Sequence, residues 1–298
     1  MSRLSRAVRK SWLYRRVFPP RLPQALVIGA QKSGTSALFS YLGQHPRCCP
    51  SSEKEVDFFT SESRYRNGPD WYAAHWDQRA AAKSIRLEAS PHYLMVRAAA
   101  ARIRADLPHV RLIAILRDPV ARAWSAWQMY RRQLANDPQF YDKFYRARFT
   151  AEERAELVRR AAAEFDDFWL AIRREAGCLE RGQRMQCSVL EFGLYGPQLQ
   201  RYLDLWPRQQ LLVLDSDNLR ARRVSTLNRV LEFLGLPTWN WAGANLADVF
   251  VGDGAAPIPS RTRDYLRGFY APSNRRLAGI LDPLPAWATT PGGESVAA

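Results

Sequence analysis

The stretch Gln24–Leu42, QALVIGAQKSGTSALFSYL, constrains the fold more than any other part of this chain. Ala25–Ala30 is an unbroken apolar run of strand length, and Gly34–His45 carries helical spacing up to Pro46, which cannot continue a helix. Between them lies a turn bounded by Gly29 and Gly34, residues that permit backbone angles and close approaches denied to others. A buried strand feeding such a turn and then a helix aims successive backbone N–H groups at one anion. An α/β protein with an anion-binding loop after its first strand is therefore expected.

Glycine spacing alone does not choose the anion. In phosphate loops of the form GxxxxGK[ST], a lysine follows the second glycine and reaches the β- and γ-phosphates. Here Gly29, Gly34 and Ser36 occupy the matching places, but Thr35 stands where that lysine belongs and the lysine comes earlier, at Lys32. Asp215 ends a strand-like run, yet Asp217 beside it marks a polar turn, so no convincing Mg²⁺ ligand follows a strand. The loop lacks a γ-phosphate clamp but keeps Lys32, Ser33, Thr35 and Ser36 as donors.

Further apolar runs predict strands at Ile85–Ala89, Val110–Leu116 and Leu211–Asp215, and helical spacing predicts helices at Ala98–Leu107, Val120–Gln133 and Val224–Leu234. Such alternation predicts a central parallel β-sheet flanked by helices, of the P-loop type. Ala151–Glu175 is dense in charge and is expected to be helical and peripheral. The expected organisation is a flexible basic arm over residues 1–23 and a single domain over 24–282, followed by a disordered Pro-, Gly- and Ala-rich tail over 283–298. Within the domain, residues 134–186 form a charged helical insertion, a solvated surface or an acceptor-side lid.

The 298 residues carry a formal charge of +15, which favours anionic partners: nucleic acid, anionic membrane, or phosphorylated and sulfated small molecules. The arginines are dispersed rather than patterned with aromatics, so no specific nucleic-acid partner is expected. With four cysteines, no CxxC and only four histidines, no metal site is expected, and the thiols are expected to be reduced. The arm carries Arg3, Arg6, Arg9, Lys10, Arg15, Arg16 and Arg21 without an acid and contains no run long enough to span a bilayer. A cytoplasmic location is expected, with the arm available to an anionic membrane surface.

Several blocks in one order carry a family resemblance. GAQKSGTSALFSYLGQHP (Gly29–Pro46) is similar to the 5′-phosphosulfate loop of sulfotransferases that use 3′-phosphoadenosine 5′-phosphosulfate (PAPS). LIAILRDPVARAWSAWQMY (Leu112–Tyr130) is similar to their 3′-phosphate motif. EKEVDFFT (Glu53–Thr60) and YRNGPDWYAAHW (Tyr65–Trp76) resemble segments of the heparan-sulfate-type carbohydrate branch. SPHYL (Ser90–Leu94), the block Gly193–Leu214 and LRGFYAPSNRRL (Leu266–Leu277) extend the resemblance over most of Gln24–Leu281.

The resemblance implies the sulfotransferase fold, PAPS as sulfuryl donor without a metal, and adenosine 3′,5′-bisphosphate as product. It implies that Lys32, Ser33, Gly34, Thr35 and Ser36 hold the 5′ end of the donor, with Lys32 stabilising charge on the leaving phosphate. It implies that Arg117 and Ser125 bind the 3′-phosphate, with Tyr195 also at the donor site, and that Glu55 takes the acceptor's proton. A carboxylate beside Phe58 and Phe59 is expected to be partly desolvated and a better base for it. Read without the resemblance, Glu55 is an exposed turn carboxylate paired with Lys54.

The chain departs from that branch at three places. Ala89 replaces a lysine before the Ser-Pro pair, and Thr60 replaces an acid after the Phe-Phe pair. Before the C-terminal helix the family's cysteine pair is absent; Arg261 and Arg263 stand there, and Arg261 is assigned to the donor site in place of a basic loop. His92, within SPHYL, is the alternative base. The expected acceptor is a hydroxyl or amine of a carbohydrate, glycolipid or other hydroxyl-bearing small molecule. Competing readings are a divergent P-loop kinase or NTPase, a sulfotransferase acting on a non-carbohydrate metabolite, and a sulfotransferase fold that only binds.

Overall fold

A computed structural model describes residues 21–77, 84–137, 150–185, 187–249 and 257–289. Five strands, β1 (Ala25–Gly29), β2 (Cys48–Pro50), β3 (Ile85–Ala89), β4 (Arg111–Leu116) and β5 (Leu211–Asp215), form one sheet in the order β2-β3-β1-β4-β5. All four pairings are parallel. This explains why β1, and β4 after its exposed Arg111, read as unbroken apolar runs: in a parallel sheet covered on both faces neither side of the strand meets water. β2, only Cys48-Cys49-Pro50, is too short to show a period, and no strand is expected there from the sequence.

The helices Thr35–Leu42 and Arg223–Phe233 cover one part of this sheet. Their Leu38, Leu42, Leu227 and Leu231 pack with Val27, Ile113 and Leu214 in one core cluster. The first helix is shorter than the expected Gly34–His45 because Gly43 caps it. The next residues continue in tighter turns, with Gln44 and His45 donating to Tyr41 and Leu42, both at 3.1 Å.

Two compact units make up the chain: Met1–Leu116 with Gln200–Val251, which holds the sheet, and Arg117–Leu199 with Gly252–Ala298. In the second, the charged stretch expected to be peripheral forms two helices, Ala151–Asp166 and Phe168–Glu180. They break at Asp167, whose carboxylate accepts from Trp169 N–H at 2.7 Å and Leu170 N–H at 3.2 Å. Far from being peripheral, Phe165, Phe168, Ile172 and Ala176 are buried with Trp127, Tyr130 and Tyr270 in that unit's core. The apolar residues sit on one face of each helix, and charge density conceals that face when the stretch is read as a whole.

Glu175 acts as an internal clamp in this second unit. Its buried carboxylate accepts from the backbone N–H groups of Val189 (2.7 Å), Leu190 (2.9 Å) and Glu191 (3.0 Å) and from the Ser188 hydroxyl. Burial raises its pKa, and those donors oppose the shift. The buried Arg122 donates to the Val189 carbonyl.

The tail also departs from expectation within the described residues, since Ala286–Ala288 forms a 3₁₀ turn with Trp287 5.9 Å from the Tyr195 ring. Residues 1–20 of the expected basic arm and 290–298 of the expected tail lie outside the described residues.

Gly29 marks the tightest backbone approach around β1. A Cβ there would lie 2.7 Å from Leu94 Cβ and 3.1 Å from the Pro91 carbonyl oxygen. Gly29→Ala is therefore predicted to destabilise the protein by about 2 kcal/mol. A lowered urea midpoint at unchanged slope would show this; an unchanged midpoint would contradict it.

Candidate active site

The loop after β1 is pinned on both sides. Ala30 N–H donates to the Ile115 carbonyl of β4 at 2.8 Å, while Ser90 and Leu94 donate to the Val27 and Ile28 carbonyls of β1 at 3.2 and 2.8 Å. Left-handed backbone at Lys32 (φ 65°) and Gly34 (φ 100°) turns the chain into the helix Thr35–Leu42. No side chain caps this helix, and the first-turn N–H groups of any helix have no intrahelical acceptor. Thr35 is buried and Ser36 half-buried. Ser33 Oγ is buried without a hydrogen-bond partner among the described residues. A positive helix end with convergent N–H groups, hydroxyls and a lysine suits a phosphate-like anion.

A second cluster lies at the carboxyl end of β3. Ser51 N–H donates to the Leu87 carbonyl at 2.9 Å and Glu55 N–H to the Ala89 carbonyl at 3.0 Å, so the segment 51–55 continues from β2 alongside the end of β3. Asp57 N–H then donates to Ser90 Oγ at 3.0 Å. Among the described residues, the non-glycine positions with left-handed backbone are Lys32, Glu55 (φ 64°) and Asp57 (φ 51°). Such conformations cost on the order of 1–3 kcal/mol each and concentrate where function requires them.

Beneath this turn lies Glu88, fully buried within β3. Its carboxylate accepts from the hydroxyls of Tyr72 and Ser90, and from Tyr93 at 3.0 and 3.1 Å. Burial pushes its pKa up to about 7, against the pull of the three hydroxyl bonds. The aromatic wall around it is stacked closely: Phe58 lies 4.4 Å from Tyr72 at an interplanar angle of 5°, and Phe59 meets Tyr93 edge-on at 5.5 Å.

Glu55 itself departs from the expected desolvation. Phe58 and Phe59 are buried, but their side chains turn to the Tyr72 wall, whereas Glu55 keeps 42% of its side-chain surface and pairs with Lys54 Nζ. His92 lies on the other side of the turn, its Nδ1 3.4 Å from Asp57 Oδ1. Burial acts to lower the His92 pKa, but the bond and charge of Asp57 and the charge of Glu55 outweigh it and raise the value.

The remaining candidates belong to the second unit. Arg117, half-buried, directly follows the last residue of β4. Asp118 accepts from Val120 N–H at 3.1 Å and so caps the helix Pro119–Asn136, on which Ser125 lies half-buried. Tyr195 is buried and its hydroxyl donates to the Arg117 carbonyl at 2.9 Å. Arg261 is exposed, with its guanidinium carbon 4.2 Å from the Trp169 ring centre. The structure thus groups Lys32–Ser36 in one loop, Glu55 with His92 at the end of β3, and Tyr195 with Arg117; Arg261 stands on Trp169.

Sequence reading missed Glu88, Asp57 and Ser90 as a linked set. The available signal was a lone acid inside the apolar strand IRLEA, because a carboxylate is almost never fully buried unless it is paired. No group of three or more His, Cys, Asp or Glu arranged for a metal ion occurs among the described residues. None of their helices is long and apolar enough to cross a membrane.

A parallel sheet with a Gly-bounded loop after its first strand and an arginine directly after the neighbouring strand matches the arrangement that the sulfotransferase resemblance implies. The chain belongs to the sulfotransferase domain family, which matches residues 22–242. It is 29% identical over 297 residues to the human bifunctional heparan sulfate N-deacetylase/N-sulfotransferase 3, an alignment covering 90% of this chain and 31% of the relative. It is 25% identical over 315 residues to the membrane-associated sulfotransferase kil1 of Dictyostelium discoideum, covering 88% of this chain and 65% of that protein. The chain thus spans less than a third of the first relative's length. Among solved structures, a sulfotransferase from Alicyclobacillus acidocaldarius superposes with a TM-score of 0.63 at 25% identity, covering 90% of this chain and all of that one.

Glu88 gives the site a pH signature. Its folded pKa, about 7, lies above the ordinary 4.5, so the folded state keeps a proton that the unfolded chain loses. The associated stability is complete below about 4.5 and disappears as pH rises through about 7, an effect on the order of 3 kcal/mol. Urea unfolding between pH 5 and 8 is predicted to show this decline in wild type and to lose most of it in Glu88→Gln. Identical slopes in the two proteins would contradict the assignment.

Proposed function

We propose that this protein transfers a sulfuryl group from PAPS to a hydroxyl or amine of a carbohydrate or glycoconjugate by in-line displacement. The observation that carries the proposal is the loop 29–36, with its pinned start, left-handed Lys32 and Gly34 and uncapped helix. Its lysine precedes the second glycine, which suits a single 5′-phosphate better than a triphosphate. In this reading the backbone N–H groups and hydroxyls of Ser33, Thr35 and Ser36 hold the 5′-phosphate. Lys32 stabilises the charge that grows on the bridging oxygen as the sulfur–oxygen bond breaks. Arg117 and Ser125 hold the 3′-phosphate, Arg117 through the planar fork that suits phosphate. Tyr195 fixes the Arg117 backbone, and Arg261 contributes positive charge. No metal is needed, because positioning and fixed charge supply the stabilisation.

The acceptor class rests on the block around Glu53–Thr60 and on the name of the human relative, which specifies a heparan sulfate N-sulfotransferase. Glu55 is the base by that resemblance and His92 the alternative. The second reading of the acceptor, a non-carbohydrate metabolite, is an arm of the same test.

Isothermal calorimetry is predicted to show saturable binding of adenosine 3′,5′-bisphosphate without divalent metal, weakened about tenfold or more in Lys32→Ala. Radiolabelled PAPS is predicted to label a carbohydrate acceptor in a screen that includes aglycone metabolites. Tight binding of MgATP with none of the bisphosphate would overturn the proposal.

A further inference from the structure

We propose that the second unit docks on an anionic lipid bilayer through the face where the helices Phe168–Glu180 and Ser260–Ala278 meet. Among the described residues the exposed large apolar side chains are Leu170, at 56%, and Val224, at 47%. A single exposed leucine on a surface needs no explanation. Leu170, however, stands beside a row of aromatic rings. Trp169 precedes it, half-buried, with its ring centre 5.3 Å from that of Tyr265 on the second helix. Phe269, one turn beyond Tyr265, lies 6.5 Å from it at an interplanar angle of 29°. All three rings pack against the unit's core while keeping part of their surface open. They form a firm apolar seam with a leucine projecting beside it.

Positive charge is fixed to the same seam. Arg173 lies three residues after Leu170 and four after Trp169, so the three share one side of their helix. Its guanidinium carbon is 5.8 Å from the Trp169 ring centre and 5.2 Å from that of Tyr265. Arg261, at the start of the second helix, stands 4.2 Å from the same Trp169 ring centre. Two exposed guanidiniums thus converge on one tryptophan, held by its ring rather than by a carboxylate. Neither makes an ion pair among the described residues. The acids close by in sequence are committed elsewhere: Asp167 caps its helix, Asp166 faces Arg131 at 3.8 Å, and Asp264 faces Arg267 at 3.8 Å.

The combination selects the partner. A soluble polyanion, glycan or nucleic acid, would use the two arginines but gain nothing from a leucine more than half exposed. At a bilayer surface every component has a place. The leucine reaches the acyl boundary, tryptophan and tyrosine rings lie among the headgroups, and guanidiniums meet lipid phosphates. The formal charge of +15 draws the whole chain toward such a surface.

Cosedimentation of the full chain with phosphatidylcholine vesicles containing phosphatidylglycerol tests this. The wild type is expected to bind them, to bind pure phosphatidylcholine far less, and to keep part of its binding when added salt screens the charges. Leu170→Glu, which removes an inserted leucine and adds a repelled charge, is expected to weaken partition about tenfold or more. Arg173→Glu is expected to weaken it about tenfold. Val224→Glu, at the exposed apolar residue of the first unit, is expected to leave it unchanged, and all three variants are expected to keep the wild-type urea midpoint. Vesicles with brominated acyl chains are expected to quench part of the wild-type tryptophan fluorescence, a part missing in Trp169→Phe. Partition unaffected by Leu170→Glu, or abolished by salt as binding through the basic residues of 1–23 alone would be, would overturn the docking face. Capture by a soluble acidic polysaccharide without any vesicle binding would overturn it too. None of these outcomes bears on sulfuryl transfer, which the bisphosphate and PAPS experiments test separately.

Discussion

The architecture of the site depends on β1 being held from both edges. A strand whose five residues are all buried cannot shift or fray without exposing the core, so the point at which it ends is fixed. Ala30 is tied to β4 and the carbonyls of Val27 and Ile28 to the segment after β3. The loop that follows therefore begins from a rigid platform. In open α/β sheets the crevice outside the carboxyl ends of the strands is where ligands bind, at the point where strand order reverses. Here the reversal lies beside β1, whose outgoing chain leads toward β2 while that of β4 leads toward β5.

The same platform supports the buried and half-buried acids of the first unit. Glu88 is buried inside the strand next to β1, and a carboxylate there is tolerated because three hydroxyls satisfy it. Burial raises it and hydrogen bonding restrains it, so it sits near neutrality. Two residues on, Ser90 passes that anchorage to Asp57, and Asp57 faces a histidine. The contrast with Glu55 is one of environment: one carboxylate is buried and fixed, the other exposed and paired with a neighbouring lysine.

Much of this was legible in the sequence. β3 and β5 fall where their apolar runs predict, and the first helix begins one residue after the Gly34 expected to open it. The loop was legible because glycine spacing, a lysine and hydroxyls in one short window are a local signal. β2 was not, since three residues carry no period. The helices of 151–180 were legible as helices but not as core, because Phe165, Phe168 and Ile172 are scattered among charges. The Glu88–Ser90–Asp57–His92 set was hidden for a different reason: it joins β3 to a turn more than thirty residues earlier in the chain, and pairing in space leaves no local pattern. The exposure of Glu55 was equally invisible, since neighbouring phenylalanines bury a carboxylate only if all three side chains point the same way.

The central claim is that the loop after β1 holds the 5′-phosphate of a sulfuryl donor. A crystal structure of the protein with adenosine 3′,5′-bisphosphate tests it most directly. The account predicts the 5′-phosphate on the backbone N–H groups of Ser33–Ser36, with Lys32 Nζ in contact and Arg117 and Ser125 on the 3′-phosphate. A nucleotide bound elsewhere, or bound in this loop with its two phosphates exchanged, would contradict it.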